Sequence, residues 1–330
     1  MRDVVATTPG LFPLPDWAKE DLSDLKGHQK SDLVSGDEGE EIASTYDRVR
    51  AELVDRQAEA GLDRIVEGQA RWDDMLAHPL AVHENVETRG IVRYYDNNNF
   101  YREPVVTGDL TFDGDVAAEL EAVDVDASDL QAVLPGPYSL SDLATDEHYG
   151  DEESFLAGIA EFLAAEADAL PEHETLFLLE PSLVENAPGD GLDEAASEAI
   201  DRVAAAVDSD VVVHTYFGAI PEKPYAHLMD ADVDAIGFDL VSDHETTVYN
   251  LQEYGTKDDI AMGVVDGQNT LVETPAEISE RIAWVEDQVP AQSFDTVYAT
   301  ANTELFYLPT NKAEAKLDAL AAATEEVLEA

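Results

Sequence analysis

The feature that most restricts the fold of this chain is a series of short apolar runs, each ending in a polar residue. They read Val211-Val212-Val213-His214, Ala235-Ile236-Gly237-Phe238-Asp239, Met262-Gly263-Val264-Val265-Asp266 and Val297-Tyr298-Ala299-Thr300-Ala301-Asn302-Thr303. Runs this short, with helical periodicity between them, predict buried parallel strands joined by helical crossovers. The C-terminal strand ends of such a sheet converge on one face, where barrel enzymes keep their chemistry.

Strands are expected at 4–8, 64–69, 90–96, 130–134, 175–180, 211–214, 235–239, 260–266 and 296–300. Helices are expected over 151–169, 192–207 and 275–289, the last with Thr274 placed to cap and Pro275 in the first turn. Eight or nine units without a Gly-rich or Pro-rich linker predict an α/β fold, a single (β/α)8 TIM barrel spanning 1–330. An open doubly wound sheet is the alternative. The acidic segment 21–41 reads as a solvated loop or lid leading into a helix. No glycine-rich phosphate loop follows any of the expected strands, so a nucleotide cradle has no support.

Charge narrows the partners. The chain has 73 Asp plus Glu against 18 Lys plus Arg, a formal net charge of -55. It repels phosphate backbones and anionic lipid, which excludes nucleic acid and membrane surfaces as partners. A shell of carboxylates over a chain with 45% hydrophobic residues predicts a globular protein from the cytoplasm of an extreme halophile. No stretch approaches the roughly 20 apolar residues of a membrane helix. There is no cysteine, so neither a thiolate nucleophile nor a thiolate metal ligand is available.

Several segments in order resemble the cobalamin-independent methionine synthase family. They are Thr7-Thr8-Pro9-Gly10-Leu11-Phe12-Pro13-Leu14-Pro15, Gly68-Gln69 through Met75, Tyr95-Asp96-Asn97-Asn98-Asn99-Phe100-Tyr101, Leu134-Pro135-Gly136-Pro137-Tyr138-Ser139-Leu140, Glu180-Pro181-Ser182-Leu183 and Gly263-Val264-Val265-Asp266-Gly267-Gln268-Asn269. The resemblance implies barrels related by duplication. In that family a catalytic barrel binds zinc and homocysteine, and a metal-free N-terminal barrel helps to hold polyglutamyl methyl-folate. The family's zinc positions read here His214, Tyr216, Asp239 and Thr303, so both sulfurs are gone and zinc is not expected. Gly10-Leu11, Gly68-Gln69 and Leu179-Glu180-Pro181-Ser182 replace the family's contacts to the homocysteine amine and carboxylate with apolar or neutral groups. The segments from Tyr95 to Tyr101 and from Gly267 to Asn269 look more like the metal-free barrel, in a form encoded separately from its partner as in haloarchaea.

The candidate site follows. His214, Asp239 and Asp266, at strand ends, are the expected catalytic or pocket-lining residues. Glu180, Asn97, Asn98, Arg93 and Arg102 are the expected contacts to the methyl donor, polyglutamyl methyl-tetrahydrofolate or a methyl-corrinoid. Glu180 could hydrogen-bond a pterin or cap its loop. Arg89, Arg93 and Arg102 could dock carboxylates or pair with Glu87 and Glu103, and Lys26, His28 and Lys30 form a second basic patch. Trp17 and Trp72 read as packing residues or as platforms for a flat ring. The expected function is methyl transfer to homocysteine in methionine biosynthesis, together with a zinc-bearing homologous barrel. A stand-alone methyltransferase for another thiol and a non-catalytic scaffold are the alternatives.

Overall fold

A computed structural model describes residues 2–23, 39–72, 74, 76–93, 95 and 100–329. The strands are β1 Asp3–Ala6, β2 Ile65–Val66, β3 Val86–Arg93, β4 Phe100–Val106, β5 Leu130–Pro135, β6 Thr145–Asp146, β7 Thr175–Leu179, β8 Asp210–His214, β9 Ala235–Asp239, β10 Asp259–Val265 and β11 Thr296–Ala301. Eight of them form one parallel sheet in the order β1-β11-β10-β9-β8-β7-β5-β2. The sheet curls until its two edges meet. There the Ala6 carbonyl accepts from the amides of Asp63 at 3.0 Å and Arg64 at 3.2 Å, and the Ala6 amide donates to Asp63 Oδ2 at 2.7 Å. The architecture is α/β with a curled eight-stranded parallel sheet, compatible with a (β/α)8 barrel.

The apolar runs form strands because both of their faces are covered. Leu176, Phe177, Leu178, Val212, Val213, Ile236 and Met262 are all buried. Each such side chain contributes about 1.5–3 kcal/mol by leaving water. Register aligns the strand ends, pairing Pro135 with Leu179, Leu179 with His214, His214 with Gly237, and Asp239 with Gly263. The crossover helices start where capping chemistry allows. Asp151 accepts from the Ser154 amide ahead of helix Glu152–Asp168. Thr274 and Glu277 form a capping box at helix Pro275–Gln288. Among the described residues no helix is long and apolar enough to cross a membrane.

Two expectations change. The run expected as a barrel strand at 90–96 belongs instead to β3, which pairs antiparallel with β4 in a separate three-stranded sheet ordered β3-β4-β6. This hairpin is inserted between β2 and β5. Most of β3 is exposed, whereas a barrel strand would be covered on both faces, and an apolar run cannot by itself distinguish the two settings. The acidic segment is divided: Asp21 ends helix Asp16–Asp21 and Glu40 begins helix Glu40–Ala60. Residues 24–38 of it, with Lys26, His28 and Lys30, lie outside the described residues.

Candidate active site at the strand ends

His214 closes β8 and is fully buried. Its ring lies over Gly237, where a Cβ would come within 2.3 Å of Nδ1, so the glycine is required for the imidazole to fit. Neither ring nitrogen has a well-formed hydrogen bond. Burial pushes the imidazole pKa down to about 4, and the backbone at Asn302 and Ala301 offsets this only in part. At neutral pH His214 is therefore an uncharged ring with unused hydrogen-bonding capacity.

Two residues further on, the buried Tyr216 hydroxyl donates to Glu304 Oε1 at 2.5 Å. Glu304 follows β11, is also fully buried, and its Oε2 has no partner. Burial, against the Tyr216 hydrogen bond, raises its pKa to about 8. The barrel centre thus holds a neutral phenol, a carboxyl that keeps its proton near neutral pH, and a neutral imidazole. Phe177, His214, Tyr216 and Phe217 form a row of tilted and edge-on ring contacts at centroid distances of 5.9, 5.9 and 4.9 Å. Tyr95, between β3 and β4, extends the row with its ring 5.5 Å from Phe217 and its hydroxyl 2.9 Å from Ser182 Oγ.

Backbone strain marks the same region. Leu11, Gln69, Tyr95 and Phe217 are the described non-glycine residues with positive φ, at 45°, 50°, 51° and 76°. Three follow β1, β2 and β8, and the fourth contacts Phe217. Strain of this kind persists where surrounding structure fixes it, most often around functional clefts.

The model of the cobalamin-independent synthase catalytic domain matches residues 6–324. The chain belongs to the cobalamin-independent methionine synthase family. The protein named methionine synthase in Saccharolobus solfataricus is 23% identical over 87% of this chain and 84% of its own length. The 5-methyltetrahydropteroyltriglutamate–homocysteine methyltransferase of Salinibacter ruber is 27% identical over 68% of this chain and 30% of its own length. A solved B12-independent methionine synthase from Shewanella, in complex with selenomethionine, shares the fold with a TM-score of 0.81. It is 19% identical, with 98% of this chain and 97% of that one covered. The matching family model is that of the catalytic domain, whereas the segments after Tyr95 and Gly267 pointed toward the metal-free barrel.

The residues at the family's metal positions do not fit a zinc ion. Tyr216 is committed to Glu304, and Thr303 Oγ1 donates to the Glu304 carbonyl at 3.1 Å. Asp239 accepts from the amides of Val241, Ser242 and Phe217 and from Asn302 Nδ2, so it organises the loops after β8, β9 and β11. Only His214 offers a free ligand atom, short of the three or four protein ligands that zinc uses.

Other expected site residues have local duties. Asp266 Oδ1 accepts from the amides of Gln268 and Asn269 in a turn. Glu180, fully buried, accepts from the amides of Tyr138 and Ser139 and from Ser139 Oγ, at 2.7–2.9 Å. Of its two readings the capping one is seen: it closes the start of helix Pro137–Leu143, and burial holds its pKa up at about 7 despite those donors. Arg93 and Arg102 lie in the hairpin, opposite Phe100 and Ile91. Asn97 and Asn98 lie outside the described residues.

Sequence reasoning missed a second buried cluster beside β2. Arg50 Nε donates to Glu67 at 2.7 Å, and Arg71 Nη1 donates to Asp115 at 3.0 Å and Glu119 at 2.9 Å. His78 and Asp115 join at 2.8 Å, and Trp72 stacks on His78. His78, Asp115 and Glu119 have metal-binding spacing, but Arg71 already supplies the cation. The spacing of acids and bases over 50–119 carries no periodicity that would reveal this network. Trp17 is taken up by Glu52 and by Arg48 above its ring.

Proposed function

We propose that this chain is a methionine synthase-type barrel that acts in methyl transfer to homocysteine without a metal of its own. It binds the polyglutamyl methyl-folate and completes the reaction with a zinc-bearing homologous barrel. The observation that carries this reading is the Tyr216–Glu304 pair, which fills the family's metal position with a neutral hydrogen-bonded couple. A thiol brought to this point meets no Lewis acid to lower its pKa, so thiolate formation is assigned to the partner. His214, neutral and unpartnered, and Tyr95, beside Phe217, are the groups left to bind and orient a flat donor. A single closed (β/α)8 domain is part of the proposal, as is the cytoplasm of a halophile, given the net charge of -55.

The decisive experiment combines metal analysis with activity. The chain, purified in molar salt, should hold no stoichiometric zinc, bind polyglutamyl methyl-tetrahydrofolate by calorimetry, and form methionine only when a zinc-bearing barrel is added. Equimolar zinc together with methionine formation by the chain alone would sink the reading. Halophily is checked separately: the melting temperature should rise steeply from dilute buffer to molar salt as self-repulsion is screened.

A second reading has one observation in its favour. Archaeal relatives named methionine synthase align over more than four-fifths of their own length, so chains of about this size carry that name. On that reading the barrel methylates a thiol alone, from methyl-folate or a methyl-corrinoid. Retention of thiol methylation after chelator treatment would establish it.

A further inference from the structure

Lys316 lies in helix Thr310–Glu329, which packs against β1 and helix Pro275–Gln288. It is the one buried lysine among the described residues, 1% exposed, in a chain with only 18 lysines and arginines. Its ammonium faces the loop after β10. Nζ donates to the Leu271 carbonyl and to Glu273 Oε2, both at 2.6 Å. Glu273, itself buried, uses Oε1 to accept from the Asp266 amide at 2.9 Å, so this ion pair holds the loop 266–273 at both ends. Arg281, the other cation nearby, has Nη1 3.6 Å from Glu273 Oε1 but donates it to the Val264 carbonyl. The same loop reaches the strand ends. The Gly267 amide donates to Asn302 Oδ1 at 2.8 Å, Asn302 Nδ2 donates to Asp239 Oδ1 at 3.1 Å, and Asp239 Oδ2 accepts from the Phe217 amide at 3.1 Å. Gly267 is also seated closely: a Cβ there would come within 2.5 Å of Thr303 Oγ1 and 2.8 Å of the Glu304 carbonyl oxygen.

We propose that Lys316 is a positioning residue for the site at the strand ends: through Glu273 and Gly267 it fixes Asn302, Asp239 and the Phe217 loop. The proposal rests on the reading that this site holds the methyl donor. A buried ion pair is weak evidence for stability, because desolvation of both charges offsets most of their attraction. What such a pair supplies is geometry, and here both acceptors of Lys316 belong to one loop. That loop has little else to hold it. Gln268, Asn269, Thr270 and Leu271 are exposed, Leu271 at 73%, so few buried apolar contacts anchor the segment. Asp266 Oδ1 shapes the turn by accepting from the amides of Gln268 and Asn269, but those bonds lie within the loop and do not attach it to the barrel.

Calorimetry with polyglutamyl methyl-tetrahydrofolate, melting temperature and amide hydrogen exchange, all on the full chain in molar salt, test the proposal. Lys316→Met leaves Glu273 buried without its ammonium, so it should lower the melting temperature and weaken donor binding about tenfold. Lys316→Met with Glu273→Gln strands no charge. In that double variant the melting temperature should return toward the wild-type value while the loss of affinity remains. In both variants exchange should quicken at the amides of Gly267 and Phe217, and stay unchanged in helix Glu152–Asp168, which takes no part in the network. Affinity that recovers together with the melting temperature in the double variant, or exchange at Gly267 and Phe217 equal to wild type, overturns the proposal. A wild-type chain that binds no donor would instead end the methyl-folate reading, and the exchange rates alone would then decide whether Lys316 positions the strand-end loops.

Discussion

The molecule buries ionisable groups in two places and solves the problem in opposite ways. Beside β2, Glu67 and Glu119 are countered by Arg50 and Arg71, a network of opposite charges 2.7 to 3.8 Å apart. At the ends of β8 and β11, Glu304 has no cation, only the Tyr216 hydroxyl. The first cluster is held by Coulomb attraction to its arginines, which oppose the rise that burial gives the Glu67 pKa, to about 7, while the second has no cation to oppose it and gives up its charge. The difference shows that a buried carboxylate is accommodated here either by a neighbouring cation or by keeping its proton. The strand ends carry a neutral, hydrogen-bonded pair, whereas the charged cluster ties helix Glu40–Ala60 and the segment after β2 to helix Asp115–Glu121.

The sharpest way to break the comparison is to remove a cation from the charged cluster. Arg50→Met leaves Glu67 and its neighbour Glu119 underpaired in a buried setting, where loss of one partner costs about 3–5 kcal/mol. Burial and the nearby Glu119 charge already raise the Glu67 pKa against the pull of Arg50, so the remaining acid should take up a proton at neutral pH. Chemical denaturation of the variant should show the loss diminishing as pH is lowered. A loss independent of pH would mean that Arg50 acts by packing alone.

Tyr216→Phe tests the neutral cluster. It removes the one donor to Glu304 while keeping the ring, and should cost about 1–3 kcal/mol, less than Arg50→Met because no charge is stranded. If the two losses were equal, Glu304 would have to be ionised in the folded protein and the contrast between the clusters would fail.

Much of this arrangement was legible beforehand, and the reasons differ residue by residue. His214, Asp239 and Thr303 follow apolar runs, so their places at the strand ends could be read from the sequence. Glu304 could not be singled out, because in a chain with 73 acids nothing local marks one carboxylate as buried. The available signal was its place directly after Thr303 at a strand end. The hairpin was missed as a hairpin because β3 and a barrel strand share short apolar runs, and only pairing separates them. Glu180 was found but not its role, which depends on the helix start at Pro137 being within reach. Gly136 fits that contact, since a Cβ there would fall 2.1 Å from Glu180 Cδ.

The pH dependence sharpens the contrast further. Glu304 rises from an ordinary 4.5 to about 8 on folding, so between those values the folded state holds a proton that the unfolded chain has lost. Stability should therefore fall as pH rises through this window, by at most about 1.4 kcal/mol per unit. His214 works in the other direction. Its pKa drops from 6.5 to about 4, the unfolded chain binds the extra proton, and stability should fall as pH is lowered from 6.5 toward 4. Glu304→Gln keeps a neutral side chain of the same shape and should flatten the alkaline slope while leaving the acid one. Denaturation midpoints of wild type and variant from pH 4 to 9 decide it, and parallel curves would remove Glu304 from the account.

The smallest effect is expected away from both clusters, at the capping box of helix Pro275–Gln288. Thr274→Ala deletes the side chain that accepts from the Glu277 amide and should cost about 1 kcal/mol, as N-cap losses do. The helix covers β10 from outside, so no group at the strand ends loses a contact. The loss should be the same at every pH between 5 and 8, because the threonine hydroxyl does not titrate in that range. Set beside Glu304→Gln, it supplies the reference for a purely structural substitution: a comparable shift in stability with none of the change in slope that identifies a buried titrating group.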